Sequence, residues 1–157
     1  MKPMPTLFEW AGDMQTFEKL FASFYEKVLR DDLLGPVFIH MSQQHIKHVS
    51  HFVAEVFGGP HLYTFQDGGT HAEMIGHHIG KMLSEEKRKR WMDLLLQTAD
   101  EMHLKSDPEF RSAFIGYIEW GTRIAVINSQ LTENPMEKDE PMPSWGWGET
   151  GGPYISS

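Results

Sequence analysis

The sequence predicts an all-α domain followed by an irregular tail, and three observations carry that prediction. Apolar residues recur at helical spacing, as in Phe17, Leu20, Phe21, Phe24 and Val28, at steps of 3, 1, 3 and 4. Capping residues stand where such stripes begin, and Gly or Pro where they end. No stretch alternates apolar and polar residues for more than a few positions, so strands are not expected.

Asp13 is the expected N-cap of a first helix over 14–30. The next stretch, DDLLGPVFIH, is broken by Gly35-Pro36 and suits short turns of helix. Ser42 is the expected cap of a helix over 43–57, whose inner face carries His45, Val49, Phe52, Val53 and Val56. Gly58-Gly59-Pro60 stops it. Residues 61–71 read as loop, with Asp67-Gly68-Gly69 as the turn. A short helix follows over 72–79, with Gly80 at its end. Ser84 caps a helix of about 20 residues with Trp91, Leu94, Leu95, Thr98 and Met102 inward. Ser106-Asp107-Pro108-Glu109 has the S-x-x-E pattern of a capping box, with Pro in the first turn. It opens a last helix that runs to Leu131 and buries Phe110, Phe114, Ile118, Ala125 and Val126. Five helices of unequal length with broken connections suit crossing helices around a central pocket, the globin kind of packing, better than an up-down bundle. The folded domain therefore covers 1–131. Residues 132–157, rich in Pro, Gly and charge, read as a flexible tail, although two Trp and one Tyr equip it to dock.

A length of 157 residues suits one domain with a single core. Fourteen basic residues against 22 acidic ones give a formal charge of −8, with no long basic run. Nucleic acid and anionic membrane are therefore not expected as partners. The basic cluster KRKR at 87–90 follows two glutamates and reads as a solvated helix face. There is no cysteine, which excludes disulfides, thiolate metal sites, Fe–S clusters and covalently attached haem. The N-terminal stretch lacks the apolar core of a signal peptide, and no segment is apolar enough to span a bilayer, so a cytoplasmic protein is expected.

Nine histidines remain to be accounted for. His40, His51, His61 and His103 read as exposed or structural. His78 differs in its surroundings. Met74 lies four residues before it and Met82 four after, and a capped helix then brings Trp91. A neutral imidazole on a short helix, backed by apolar side chains, is what a haem iron needs on one side. Its second ring nitrogen should donate to a carbonyl one turn back. Two other readings stay open. His45 and His48, one turn apart, could chelate a non-haem metal together with His71, His77 or His78. Few acidic residues share those faces, which disfavours a carboxylate-bridged di-iron site. Alternatively, the chain is a helical interaction module that uses the Trp- and Gly-containing tail.

Several markers in order resemble the truncated haemoglobins, most closely their second group. They are Phe24-Tyr25, then Pro36-Val37-Phe38, then Gly58-Gly59-Pro60-x-Leu62-Tyr63, then His78 with Trp91 thirteen residues on. The resemblance runs from Leu7 to Asn128. It implies a truncated globin fold, with shortened helices around non-covalent haem b (iron protoporphyrin IX). It implies His78, and not His77, as the iron ligand, and His71 as a structural residue. It puts Tyr25, His45, Val49 and Trp91 in the ligand pocket. Phe38, Tyr63, Met74, His48 and His77 are then haem contacts. His45 departs from the second group, where a smaller residue is common, and is more usual in the third. Ile79-Gly80-Lys81-Met82 replaces the family's x-Pro-Phe-Pro, so the cations that meet the haem carboxylates are not assigned. Lys47, His48, His77 and Lys81 are the candidates.

The implied small ligands are O2, NO, CO or peroxide, with an electron donor or reductase that the sequence does not identify. A monomer or homodimer is expected. Phenol, imidazole and indole are all hydrogen-bond donors, and three of them over one ligand suit NO or peroxide chemistry, or sensing, better than bulk O2 transport.

Overall fold

In the computed structural model, which describes residues 3–154, every regular element among the described residues is helical. The first helix, α1 (Leu7–Ala11), is too short to show periodicity, and its signal is a capping box. Thr6 Oγ1 accepts from Glu9 N at 3.1 Å, and Glu9 Oε1 accepts from Thr6 N at 3.1 Å. Helix α2 (Met14–Arg30) begins as the sequence predicts, with Asp13 accepting from Thr16 N at 3.0 Å. Its apolar stripe is buried together with Tyr25, and it packs against both α4 (Gln44–Val56) and α6 (Glu85–Glu101). Between α2 and α4 lies the single turn α3 (Gly35–Phe38).

Ser42 does not cap α4. The residue before that helix, Gln43, is already helical (φ −62, ψ −24) and makes no side-chain cap, and only the Ser42 carbonyl is used, by His45 N at 3.0 Å. At the other end Gly58 sits at φ +92, where only glycine is at ease. Phe8 N donates to Phe57 O at 3.0 Å, so α1 is laid against this end.

The expected loop after α4 contains a π-helical turn, Leu62–Gln66, closed by Asp67 N to Leu62 O at 2.9 Å. Its anchor is remote: the Glu55 carboxylate accepts from Thr64 N at 3.1 Å and from Thr64 Oγ1 at 2.9 Å. Local pattern cannot signal such a tie. Helix α5 (His71–Gly76) is capped by Thr70 and ends earlier than expected, leaving His77 and His78 in the turn that follows. Ser84 caps α6 by accepting from Lys87 N at 3.1 Å.

Helix α7 (Pro108–Ser129) is capped by Asp107 and not by Ser106. Pro108 takes the first helical position, which puts the cap one residue before it. One Asp107 oxygen accepts from Phe110 N at 3.1 Å and the other from Trp10 Nε1 at 2.8 Å.

The core is dominated by Phe17, Phe21, Phe24, Phe57, Phe110 and Phe114, all fully buried. Each is worth about 1.5–3 kcal/mol of apolar burial. The basic cluster at 87–90 is not uniformly solvated. Arg88 is only 6% exposed, because α6 meets α7 there and Arg88 pairs with Glu85 at 2.5 Å and Glu119 at 3.0 Å.

The described part of the segment read from composition as a flexible tail is laid along the body. Asn134 Nδ2 donates to the Ala72 carbonyl of α5 at 2.7 Å, and Trp145 N donates to Val56 O at 2.9 Å. Trp147 Nε1 donates to Pro5 O at 2.8 Å. The loop after His78 is tied to the end of α7 by Gly80 N to Leu131 O at 3.1 Å and Met82 N to Ser129 O at 3.0 Å. None of the described helices is long and apolar enough to cross a membrane.

Candidate functional site

The crossing of α2, α4, α5, α6 and α7 leaves a cavity of about 190 Å³ with a mostly apolar wall. Tyr25 from α2, Phe38 from α3, His45 and Val49 from α4, and Trp91 from α6 all line it. Met74, His77 and His78 come from α5 and its following turn. Five helices thus bring together residues up to 66 positions apart, Tyr25 to Trp91.

Tyr25 and His45 form a polar pair in this apolar wall. His45 Nε2 lies 3.1 Å from Tyr25 Oη, and the rings meet edge to face at 5.1 Å. Phe38 packs on both, at 5.7 Å and 6.3 Å. Burial pushes the Tyr25 phenol well above its usual range. Burial, with the nearby His77 and His48, pushes His45 down to about 4. Both are neutral at pH 7, so one hydrogen joins them and another is left over. If Nε2–H donates, the phenol O–H is free; if the phenol donates, His45 keeps Nδ1–H. Trp91 is held edge to face on Phe24 at 4.9 Å.

His78 is half-buried in the turn after α5. Its Nδ1 is sealed from solvent and has no hydrogen-bond partner among the described residues. The Met74 carbonyl, one turn back, pulls the ring slightly toward protonation. The expected hydrogen bond to that carbonyl is not closed, however. His78 N bonds Ile75 O at 3.0 Å, so the backbone turns more tightly here than in an α-helix. Burial, then His77 and His45, push His78 down to about 4. A neutral ring with a sealed Nδ1 leaves Nε2 as the nitrogen available to a metal.

Tyr63 and His48 do not line this cavity. They line a second one of about 220 Å³, which shares His45, Val49, Met74 and His77 with the first. The Tyr63 hydroxyl is already used, donating to the Thr70 carbonyl at 2.9 Å. Gly69 lies flat on the Tyr63 ring, where a Cβ would come within 2.3 Å of it. Tyr63 therefore braces the loop that caps α5. Lys47 stands 3.8 Å from Asp67, and Lys81 is exposed. His71 lines the first cavity with its ring 6.3 Å from Phe52. His51 is buried against Asp67 at 2.6 Å, a structural role.

Sequence reasoning missed the α7 wall, where Tyr117, Trp120 and Thr122 face the cavity, and it missed Arg88 of α6. The available signal was Gly121, a glycine inside a helix, which costs about 1 kcal/mol relative to Ala and calls for a local reason.

Among the described residues no three His, Asp or Glu side chains converge to hold a metal ion. No such group forms on His45 and His48: they line the second cavity together with His77, but His45 Nε2 is already paired with Tyr25 Oη. The same donor set suits haem well. It offers one neutral imidazole with a sealed second nitrogen, an apolar enclosure, and a neutral donor pair in the same cavity.

These burials set a pH dependence in the haem-free protein. The folded values of His45 and His78, about 4, lie below the ordinary 6.5. Between those values the unfolded chain binds protons that the folded chain refuses, so stability falls as pH is lowered through that window. Each histidine adds a slope of up to about 1.4 kcal/mol per pH unit. Urea midpoints at about pH 7 and about pH 4.5 measure it. A midpoint that holds or rises at the lower pH is the contrary result.

Comparison with known proteins adds four findings. A family model described as bacterial-like globin matches residues 6–119. A group 2 truncated haemoglobin of Bacillus subtilis is 26% identical over 126 residues, covering 80% of this chain and 92% of the relative. The crystal structure of the group II truncated haemoglobin from Bacillus anthracis superposes with a TM-score of 0.70 at 23% identity, covering 88% of this chain and 98% of that one. A truncated oxygen-avid haemoglobin from Bacillus subtilis gives a TM-score of 0.67 at 25% identity, over 78% and 99%.

Proposed function

The chain belongs to the bacterial-like globin family, among the truncated haemoglobins of the second group, and from that premise we propose that it holds haem b through His78 and binds O2 under Tyr25, His45 and Trp91. Truncated haemoglobins carry haem and bind small gaseous ligands such as O2. The absence of cysteine supports a non-covalently held haem. Haem, when bound, supplies the iron that coordinates a diatomic ligand and passes electron density to it.

The chain's own residues do the rest. His78 offers a neutral nitrogen without first losing a proton. Phe38, Val49 and Met74 line the cavity and would keep water from a bound ligand. The observation that carries the reading is the Tyr25–His45 pair, 3.1 Å apart and neutral, in the same apolar cavity as His78. Its free hydrogen, with the Trp91 indole N–H, is available to a ligand atom that gains negative charge. In a water-poor cavity such bonds exceed the about 0.5–1.5 kcal/mol of an ordinary one.

A ligand held this way leaves slowly, which suits NO or peroxide chemistry, or sensing, better than bulk transport. The oxygen-avid character of the Bacillus subtilis relative supports the same direction. CO, a cytoplasmic setting, an external electron donor, and a monomeric or dimeric state belong to this proposal. So do His48, His77, Lys47 and Lys81 as candidates for the haem carboxylates, with Tyr63 bracing them. The test is spectroscopic. Hemin-loaded protein, reduced and then exposed to air, is expected to form an oxygenated Soret spectrum that persists. Immediate oxidation to the ferric spectrum, with no oxygenated form, would overturn the reading.

A further inference from the structure

On the reading that the cavity holds haem, we propose that Tyr117, Trp120 and Trp145 form a one-electron relay between the cavity and the protein surface, by which a phenol-class donor reduces the protein during reaction with a peroxide. Tyr117 and Trp120 close the α7 side of the cavity. Trp120 is also 37% exposed, the most open Trp or Tyr on that wall. Trp145 reaches in from the C-terminal segment and completes a triangle. Its ring lies 5.6 Å from Tyr117 and 5.6 Å from Trp120, and Tyr117 lies 6.1 Å from Trp120. The backbone holds it there through Trp145 N to Val56 O at 2.9 Å. Tyr117 lies within the stretch matched by the family model, whereas Trp145 comes from the C-terminal segment well beyond it.

Aromatic packing alone is a weak reason to infer electron transfer, since Phe rings fill this core. Phe is not oxidised where Trp and Tyr are. Among the described residues two sets of Trp and Tyr rings touch one another. Trp10 and Trp147 touch at 6.2 Å, but neither lines the cavity. The Tyr117 triangle alone runs from cavity wall to solvent. Within it the oxidised state rests on Trp120 or Trp145. Tyr117 is buried, and only burial acts on its phenol, so no group stands ready to take its proton. A half-exposed indole can release N–H to water.

The balance is complete with the reactants named. Reduction of a peroxide ROOH to ROH and water breaks the O–O bond and consumes two electrons and two protons. Two phenol-class molecules at the Trp120–Trp145 surface each give one electron and one proton. Each electron crosses the triangle singly, and each donor leaves as a phenoxyl radical.

The experiment uses the full chain loaded with hemin, treated with hydrogen peroxide and a nitroso spin trap. Peptide mapping is expected to find the adduct on Trp120 or Trp145, and rapid-freeze EPR to find an aromatic radical. Trp145→Phe keeps an aromatic ring off the cavity wall, so it is expected to keep the Soret band and its response to peroxide. It should confine the adduct to Trp120, and the Trp120→Phe, Trp145→Phe double variant should lose most of the radical signal and slow the oxidation of guaiacol. A Soret band that responds to peroxide with adducts on neither tryptophan overturns the relay alone. An unchanged radical yield and guaiacol rate in the Trp120→Phe, Trp145→Phe double variant does the same. Failure to take up hemin overturns the relay together with the haem reading.

Discussion

Replacing His78 by Ala is expected to abolish stable haem uptake, while His77→Ala retains it. The two residues are adjacent, yet their environments differ. His78 is half-buried with a sealed Nδ1 on the cavity that Tyr25 and Trp91 line, whereas His77 is exposed. Apolar contacts alone hold a flat ligand loosely, and the iron–imidazole bond fixes it. Hemin titration followed by gel filtration measures retention through the Soret absorbance. Added imidazole should restore the Soret band in a His78→Gly variant, because a free ring can occupy the vacated space. Equal haem loss in the His77 and His78 variants would show that neither nitrogen is specific. Retention in His78→Ala with loss in His77→Ala would reverse the assignment.

The second large effect concerns release of O2. Trp91→Phe removes the indole N–H and keeps an aromatic ring against Phe24. Tyr25→Phe removes the phenol that faces His45 at 3.1 Å. Each lost donor in a water-poor cavity costs about 1–2 kcal/mol, a factor of about 5–30 in the rate of ligand escape. Because the donors share one ligand, the double variant should fall short of the product of the single effects. Stopped-flow displacement of O2 by CO gives these rates. A rate unchanged in Trp91→Phe removes the indole from the set, and unchanged rates in both variants remove hydrogen bonding as the basis of retention.

Local rules worked where local physics decides. The Phe17–Val28 stripe, the Asp13 and Ser84 caps and the Gly58 stop are all properties of a few neighbouring residues. Long-range partners decided the departures. Asp107 caps α7 because Pro108 fixes the register, and it also receives Trp10 from 97 residues away. Arg88 is buried because Glu119 of a different helix meets it. The π-helical turn depends on Glu55, and the docked segment depends on single tryptophans reaching Val56 and Pro5.

At the site, the sequence drew Tyr25, His45, Trp91 and His78 into one group through the family resemblance, and all four line one cavity. It could not separate Tyr63 and His48 onto a second cavity, because that division depends on how the loop over α5 closes. It also left out Tyr117 and Trp120, since a helix that is apolar on several faces does not announce which one meets a pocket.

The most direct measurement is a crystal structure of the full chain loaded with hemin, with the iron located by anomalous scattering. The expected result is iron bonded to Nε2 of His78, with Tyr25, His45 and Trp91 grouped over the opposite face of the macrocycle. Iron bound to His77 or His48, or hemin at the surface with the cavity filled by packed side chains, would contradict the account.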